Sequence, residues 1–147
     1  MSKRIFTKVF SGEVSAQGPL VVDEGAVAAW LIQYESIEVI GALGCIQLDA
    51  PSNNDGTSFA IIELSQVGVF GLDAAILAVS AAEHWNTAPA GVSQSGGNVA
   101  VAFPSGSAIP VKEEGYLYIN SRVVGKTAGV SVYNWEVIVF YTKKTGR

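Results

Sequence analysis

Apolar residues along this chain recur at every second position in short runs, and Gly, Pro, Asn and Asp cut the runs apart. Alternation of period two, in segments rich in Val, Ile, Tyr, Phe and Trp, is the pattern of half-buried β-strands. It predicts strands at Arg4–Phe10, Ala26–Tyr34, Ile37–Leu43, Cys45–Leu48, Phe59–Leu64, Val99–Phe103, Tyr116–Val124 and Val130–Tyr141. Pro51–Ser58 reads as a loop around the turn pair Asp55-Gly56. Leu72–Asn86 fits two states: Leu72, Ile76 and Val79 have helical spacing, whereas Leu77, Val79 and Ala81 alternate. The β surroundings favour a strand there, with one short helix within 72–86 as the other outcome. The expected fold is an all-β antiparallel sandwich, first of all a single jelly roll, in one domain spanning 1–147.

The two strands nearest the C-terminus are the most legible. In Tyr116–Val124, Leu117, Ile119 and Val123 share one face, while Tyr116, Tyr118, Asn120 and Arg122 share the other. After the glycine-bracketed loop Gly125–Gly129, the long strand Val130–Tyr141 is apolar on both faces. Tyr133, Trp135, Val137, Val139 and Tyr141 lie on one side; Val130, Val132, Ile138 and Phe140 lie on the other, interrupted by Asn134 and Glu136. Such a strand is central to a sandwich or buried at a subunit contact.

Five residues occur twice in nearly the same form: "VVDEG" at Val21–Gly25 and "VKEEG" at Val111–Gly115. Each precedes an apolar run. A metal loop needs further oxygen ligands at fixed spacing, and neither copy has them. Both copies are expected to be turns, with solvated acids before a left-handed glycine that opens a strand.

Composition changes the picture at the surface. Hydrophobic residues make up 49% of the chain and charged residues only 15%, below the roughly 25% of an ordinary soluble domain. Part of the outside is therefore expected to lie against another subunit. The net charge of −4 conceals a polar layout. From Val9 to Val111 there is no Lys or Arg but ten acidic residues, while Lys3, Arg4, Lys8, Lys143, Lys144 and Arg147 cluster at the two ends. Chain ends usually lie at the surface and close together, so these six are expected to share one basic patch on an acidic body. A contact with acidic neighbours is the first expectation for that patch, and weak nucleic-acid contact the second.

No catalytic constellation is visible. His84 is the only histidine, no G-x-S-x-G elbow surrounds the serines, and neither nucleotide-binding glycine pattern occurs. Adjacent carboxylates such as Asp23 and Glu24 point to opposite sides of a strand, so the chain is not expected to be an enzyme. No cofactor or metal is expected. Cys45, the only cysteine, excludes an internal disulfide and, amid apolar neighbours, reads as a small buried hydrophobe. The longest uncharged segment is broken by prolines and glycines, so no membrane span is expected. The N-terminal residues lack an apolar stretch long enough for a signal peptide, which argues against a secretory route.

The stretch "SAIPVKEEGYLYINSRVVGKTAGVSVYNWEVIVFYTKK" (Ser107–Lys144) resembles the closing strands of small β-sandwich or jelly-roll virion proteins of bacteriophages. That resemblance implies a capsid, cement or fibre-head subunit that forms homo-oligomers, contacts other virion proteins and is located in the virion. The alternative is a lectin-like carbohydrate-binding module, with glycan stacked on exposed aromatics. Trp30 and Trp135 sit in apolar runs and suit a core. Tyr116, Tyr118 and Arg122 on their polar face, together with Trp135 in the doubly apolar strand, are the candidate subunit-interface or ligand contacts.

Overall fold

The computed structural model describes residues 3–19, 21–51, 57–86, 91–93, 96–104, 106–125 and 127–144. Eleven strands follow in chain order: β1 (Phe6–Gln17), β2 (Val22–Leu31), β3 (Ile37–Pro51), β4 (Phe59–Ser65), β5 (Leu77–Ala82), β6 (His84–Asn86), β7 (Gly91–Ser93), β8 (Gly96–Ala102), β9 (Ile109–Val111), β10 (Tyr116–Val124) and β11 (Val130–Lys143). They form two antiparallel sheets packed as a sandwich, plus the two-stranded ribbon of β6 and β7. The first sheet runs β1-β11-β3-β8, with β9 pairing the start of β3; the second runs β2-β10-β4-β5.

The core is what the alternation requires. Val39, Leu48, Tyr133, Val137 and Val139 from the first sheet meet Ile62, Leu64, Leu117 and Ile119 from the second, all fully buried. Trp135 fills the space between β11 and β1, where Gly12 lies beneath it; a Cβ there would stand 3.0 Å from the indole ring. On the side where β5 approaches β3, Gly44 gives Leu77 its room, since a Cβ at residue 44 would fall 2.6 Å from the Leu77 side chain. On the opposite side, bounded by β1 and β2, Trp30 packs against Phe10 and Tyr141.

Several expectations are corrected. Ile37–Leu43 and Cys45–Leu48 are one strand, β3, whose register against β11 shifts between Phe140 and Tyr141 and again between Val132 and Tyr133. The first shift leaves Ile40 as an extra residue, so Ile37 and Val39 point inward before it and Ala42, Ile46 and Leu48 after it. This phase change turns Cys45 outward, and it is exposed rather than buried. Within 72–86 the expectation of a strand holds from Leu77 onward and the helix alternative does not: Leu72 is an exposed loop residue, and Leu77, Val79 and Ala81 are the buried positions of β5. The first acidic copy is not a turn, because Asp23, Glu24 and Gly25 lie inside β2 and pair with Val123, Arg122 and Ser121. The second copy is a turn, but the left-handed residue is Glu114 (φ 66°), not the glycine after it. Most of the Pro51–Ser58 loop lies outside the described residues, as do the side chains of His84 and Trp85.

Candidate functional site

Register fixes which outward side chains stand side by side on the first sheet. One row crosses all four strands as Val9, Ile138, Leu43 and Ala100. The next row toward the chain ends is Thr7, Phe140, Gly41 and Ala102. Neither row contains a charge. Val9 is 53% exposed and Leu43 42%, and Ile5, 59% exposed, adjoins the same patch beside Ile40 and Phe140. In the other direction the rows turn polar: first Ser11, Glu136, Cys45 and Asn98, then Glu13, Asn134, Gln47 and Gly96. An uncharged band therefore spans the outer face of the sheet.

The pairing of β1 with β11 brings the two basic ends together, Phe6 standing opposite Tyr141. Lys3 and Lys144 both reach Glu38, at 3.9 and 3.8 Å, and Lys143 reaches Glu35 at 3.9 Å. Arg4 and Lys143 lie over the Phe6 ring, at 5.0 and 4.6 Å from its centroid. Lys8 lies 5.7 Å from the Phe10 ring and 5.6 Å from that of Trp30. The rings themselves are linked, Phe6 to Tyr141 to Trp30 to Phe10. The cations thus rest on an aromatic row at the β1–β2 side of the sandwich, each contact of the exposed cation–π kind. Five of the six expected basic residues share this end; Arg147 lies outside the described residues.

On the outer face of the second sheet, Tyr116 and Tyr118 stack on each other at 5.5 Å. Gly68 covers the Tyr118 ring. The loop carrying Gly68 is held down by buried Asn120, whose Nδ2 donates to Val67 O (2.8 Å) and to Glu63 Oε1 (3.1 Å), while Gly71 N–H donates to the same carboxylate oxygen (3.0 Å). Arg122 pairs across strands with Glu24, Nη1 to Oε1 at 2.8 Å. That is the use found for the first acidic copy.

No protein-family model matches the chain, and no curated protein does. Solved structures do. One is a chain from Bacillus endospore appendages, described as disulfide-linked pili, at 14% identity and TM-score 0.38, covering 97% of this chain and 91% of that one. Another is the decameric BFDV capsid protein, at 11% identity and TM-score 0.44, covering 96% of this chain and 99% of that one. A subviral particle of infectious bursal disease virus is similar at 12% identity and TM-score 0.34, over 95% of this chain and 37% of that one.

The four residues singled out as contacts do not form one site. Tyr116, Tyr118 and Arg122 share the outer face of the second sheet, whereas Trp135 is 5% exposed on the inner face of the first. Among the described residues, its Nε1 meets no hydrogen-bond partner. The uncharged band was missed as a site because its members come from four distant strands. Only one signal pointed to it, the doubly apolar pattern of Val130–Tyr141. Among the described residues no three His, Cys, Asp or Glu gather where a metal ion could be held, and no helix is long and apolar enough to cross a membrane.

Proposed function

We propose that this chain is a structural subunit of a virion, of the bacteriophage shell, cement or fibre-head kind, which builds a homo-oligomer through β-rich, weakly charged surfaces. The observation that carries the reading is the uncharged band running from β1 to β8 on the outer face of the first sheet. A subunit surrounded by water on every side has no use for such a band; an assembled one has. The connectivity supports the reading as well. The orders β1-β11-β3-β8 and β2-β10-β4-β5 are those of a single jelly roll, two Greek keys wrapped into facing sheets. In this reading the chain performs no reaction, and its basic end serves protein contacts in the particle. Sedimentation velocity and negative-stain microscopy of the purified chain test it. Closed rings or shells of defined symmetry, growing with concentration, are the expected outcome. A monomer at every concentration, with affinity for a glycan at Tyr116, would favour the lectin-like alternative.

A further inference from the structure

We infer that the outer face of the first sheet docks a second copy of this chain, face to face, about a two-fold axis that runs across the strands between the two uncharged rows. The inference rests on the reading of the chain as an assembling subunit and names the surface that does it. Three features of the face select this partner and this axis.

The first is charge. The face is polar along its strands: Glu13 and Glu136 stand exposed at one end, and Lys3 and Lys144 flank Glu38 at the other. Glu38 belongs to the outer side, since its neighbours Ile37 and Val39 are buried. One acid between two lysines leaves that end positive. A two-fold across the strands lays the acidic end of each copy over the lysine end of the other. A two-fold along the strands would instead stack acidic end on acidic end, with Glu136 of each copy beside its equivalent. Opposite charges brought together in register steer and align partners, and like charges exclude the alternative.

The second is shape. The axis exchanges the row Val9, Ile138, Leu43, Ala100 with the row Thr7, Phe140, Gly41, Ala102. Leu43 of each copy then stands over Gly41 of the other, beside Ile40. Ile138 meets Phe140, and Ala100 meets Ala102. Each cross-row pair occurs twice, as an isologous contact requires. Sheets packed in this way keep their strands nearly aligned and their layers about 10 Å apart.

The third is size. The four rows that cross all four strands cover about 19 by 27 Å at ordinary strand spacing and rise. That is about 500 Å² on each copy, about 1,000 Å² in all, at the lower end of specific interfaces.

The test uses two charge-reversed full-length chains, one with Glu13→Lys and Glu136→Lys, the other with Lys3→Glu and Lys144→Glu. Circular dichroism and thermal melting check that each is folded, and sedimentation velocity reads association. Each chain alone is expected to lose self-association at least about tenfold relative to the parent. An equimolar mixture is expected to restore it as a heterodimer, because the contact pairs the unlike ends of two copies. Leu43→Gln, which touches no charge and sits on the surface, is expected to weaken the parent's association by itself. Reversed chains that associate like the parent, or a mixture that stays monomeric while the parent dimerises, overturn the inference and assign the band to another occupant. A parent that is monomeric throughout overturns the assembling-subunit reading itself, so the two failures are distinguishable.

Discussion

Tyr141 is the residue on which the aromatic row at the β1–β2 side of the sandwich converges. Its ring stacks on Phe6 at 5.5 Å and meets Trp30 edge-on at 5.1 Å, and burial pushes its phenol above the ordinary value of 10.0. Because the folded value lies above the unfolded one, the contribution to stability is complete below pH 10 and is lost as the pH rises through the raised value. Tyr141→Phe keeps the ring contacts and removes the ionisable group. Its melting temperature is expected to fall less steeply than the parent's above pH 10, and equal slopes would show that Tyr141 ionises as freely in the native state as in the unfolded one. Cys45 teaches the reverse lesson about single residues. Its apolar neighbours gave no hint of exposure, because the face a strand residue takes depends on a phase set by the bulge at Ile40.

At the scale of elements, the legible strands were those with punctuation at both ends. β10 has the bounds its alternation predicts, between the turn at Gly115 and the loop after Val124. The long strands were cut short or split. The polar residues of "SGE" hid the continuation of β1, and the phase change hid the unity of β3. The acidic repeat shows why a local motif does not determine an element: "VDEG" extends where β10 offers Arg122 to Glu24, while "KEEG" turns where Ile32 accepts from Glu114 N–H at 2.7 Å. At that turn the roles of neighbouring residues predict opposite outcomes. Gly115→Ala would place a Cβ 2.9 Å from Lys112 O, and is expected to destabilise the fold by about 1–3 kcal/mol. Glu114→Gly relieves a left-handed backbone at φ 66° at the usual entropic cost of glycine, and is expected to be neutral or stabilising by up to about 1 kcal/mol. Urea unfolding of both variants decides. A loss in Glu114→Gly as large as in Gly115→Ala would show that the side chain of Glu114, not its backbone, holds the turn. β1 carries another local device: Lys8, on the same side as buried Phe10, sets a charge on the inner side of an edge strand, which discourages uncontrolled pairing.

For the whole molecule, the decisive fact is that β11 lies between β1 and β3. The sequence disclosed that β11 is largely apolar on both faces but not which strands flank it, since pairing between distant segments leaves no local trace. A chain truncated before Val130 lacks the element that joins β1 to the rest of its sheet. It is expected to show no cooperative thermal transition and to be cut readily by protease. Cooperative unfolding of that fragment would mean that β3 and β8 can hold the sheet without β11. The same arrangement orders events in time. During synthesis β1 emerges before β11 and waits, on the order of ten seconds at ordinary elongation rates, until β11, its one partner among the described strands of the sheet, has been made. The uncharged band is drawn from β1, β11, β3 and β8 together, so a nascent chain cannot present it until β11 has been made. Any self-recognition through that band would therefore begin only after translation has passed β11.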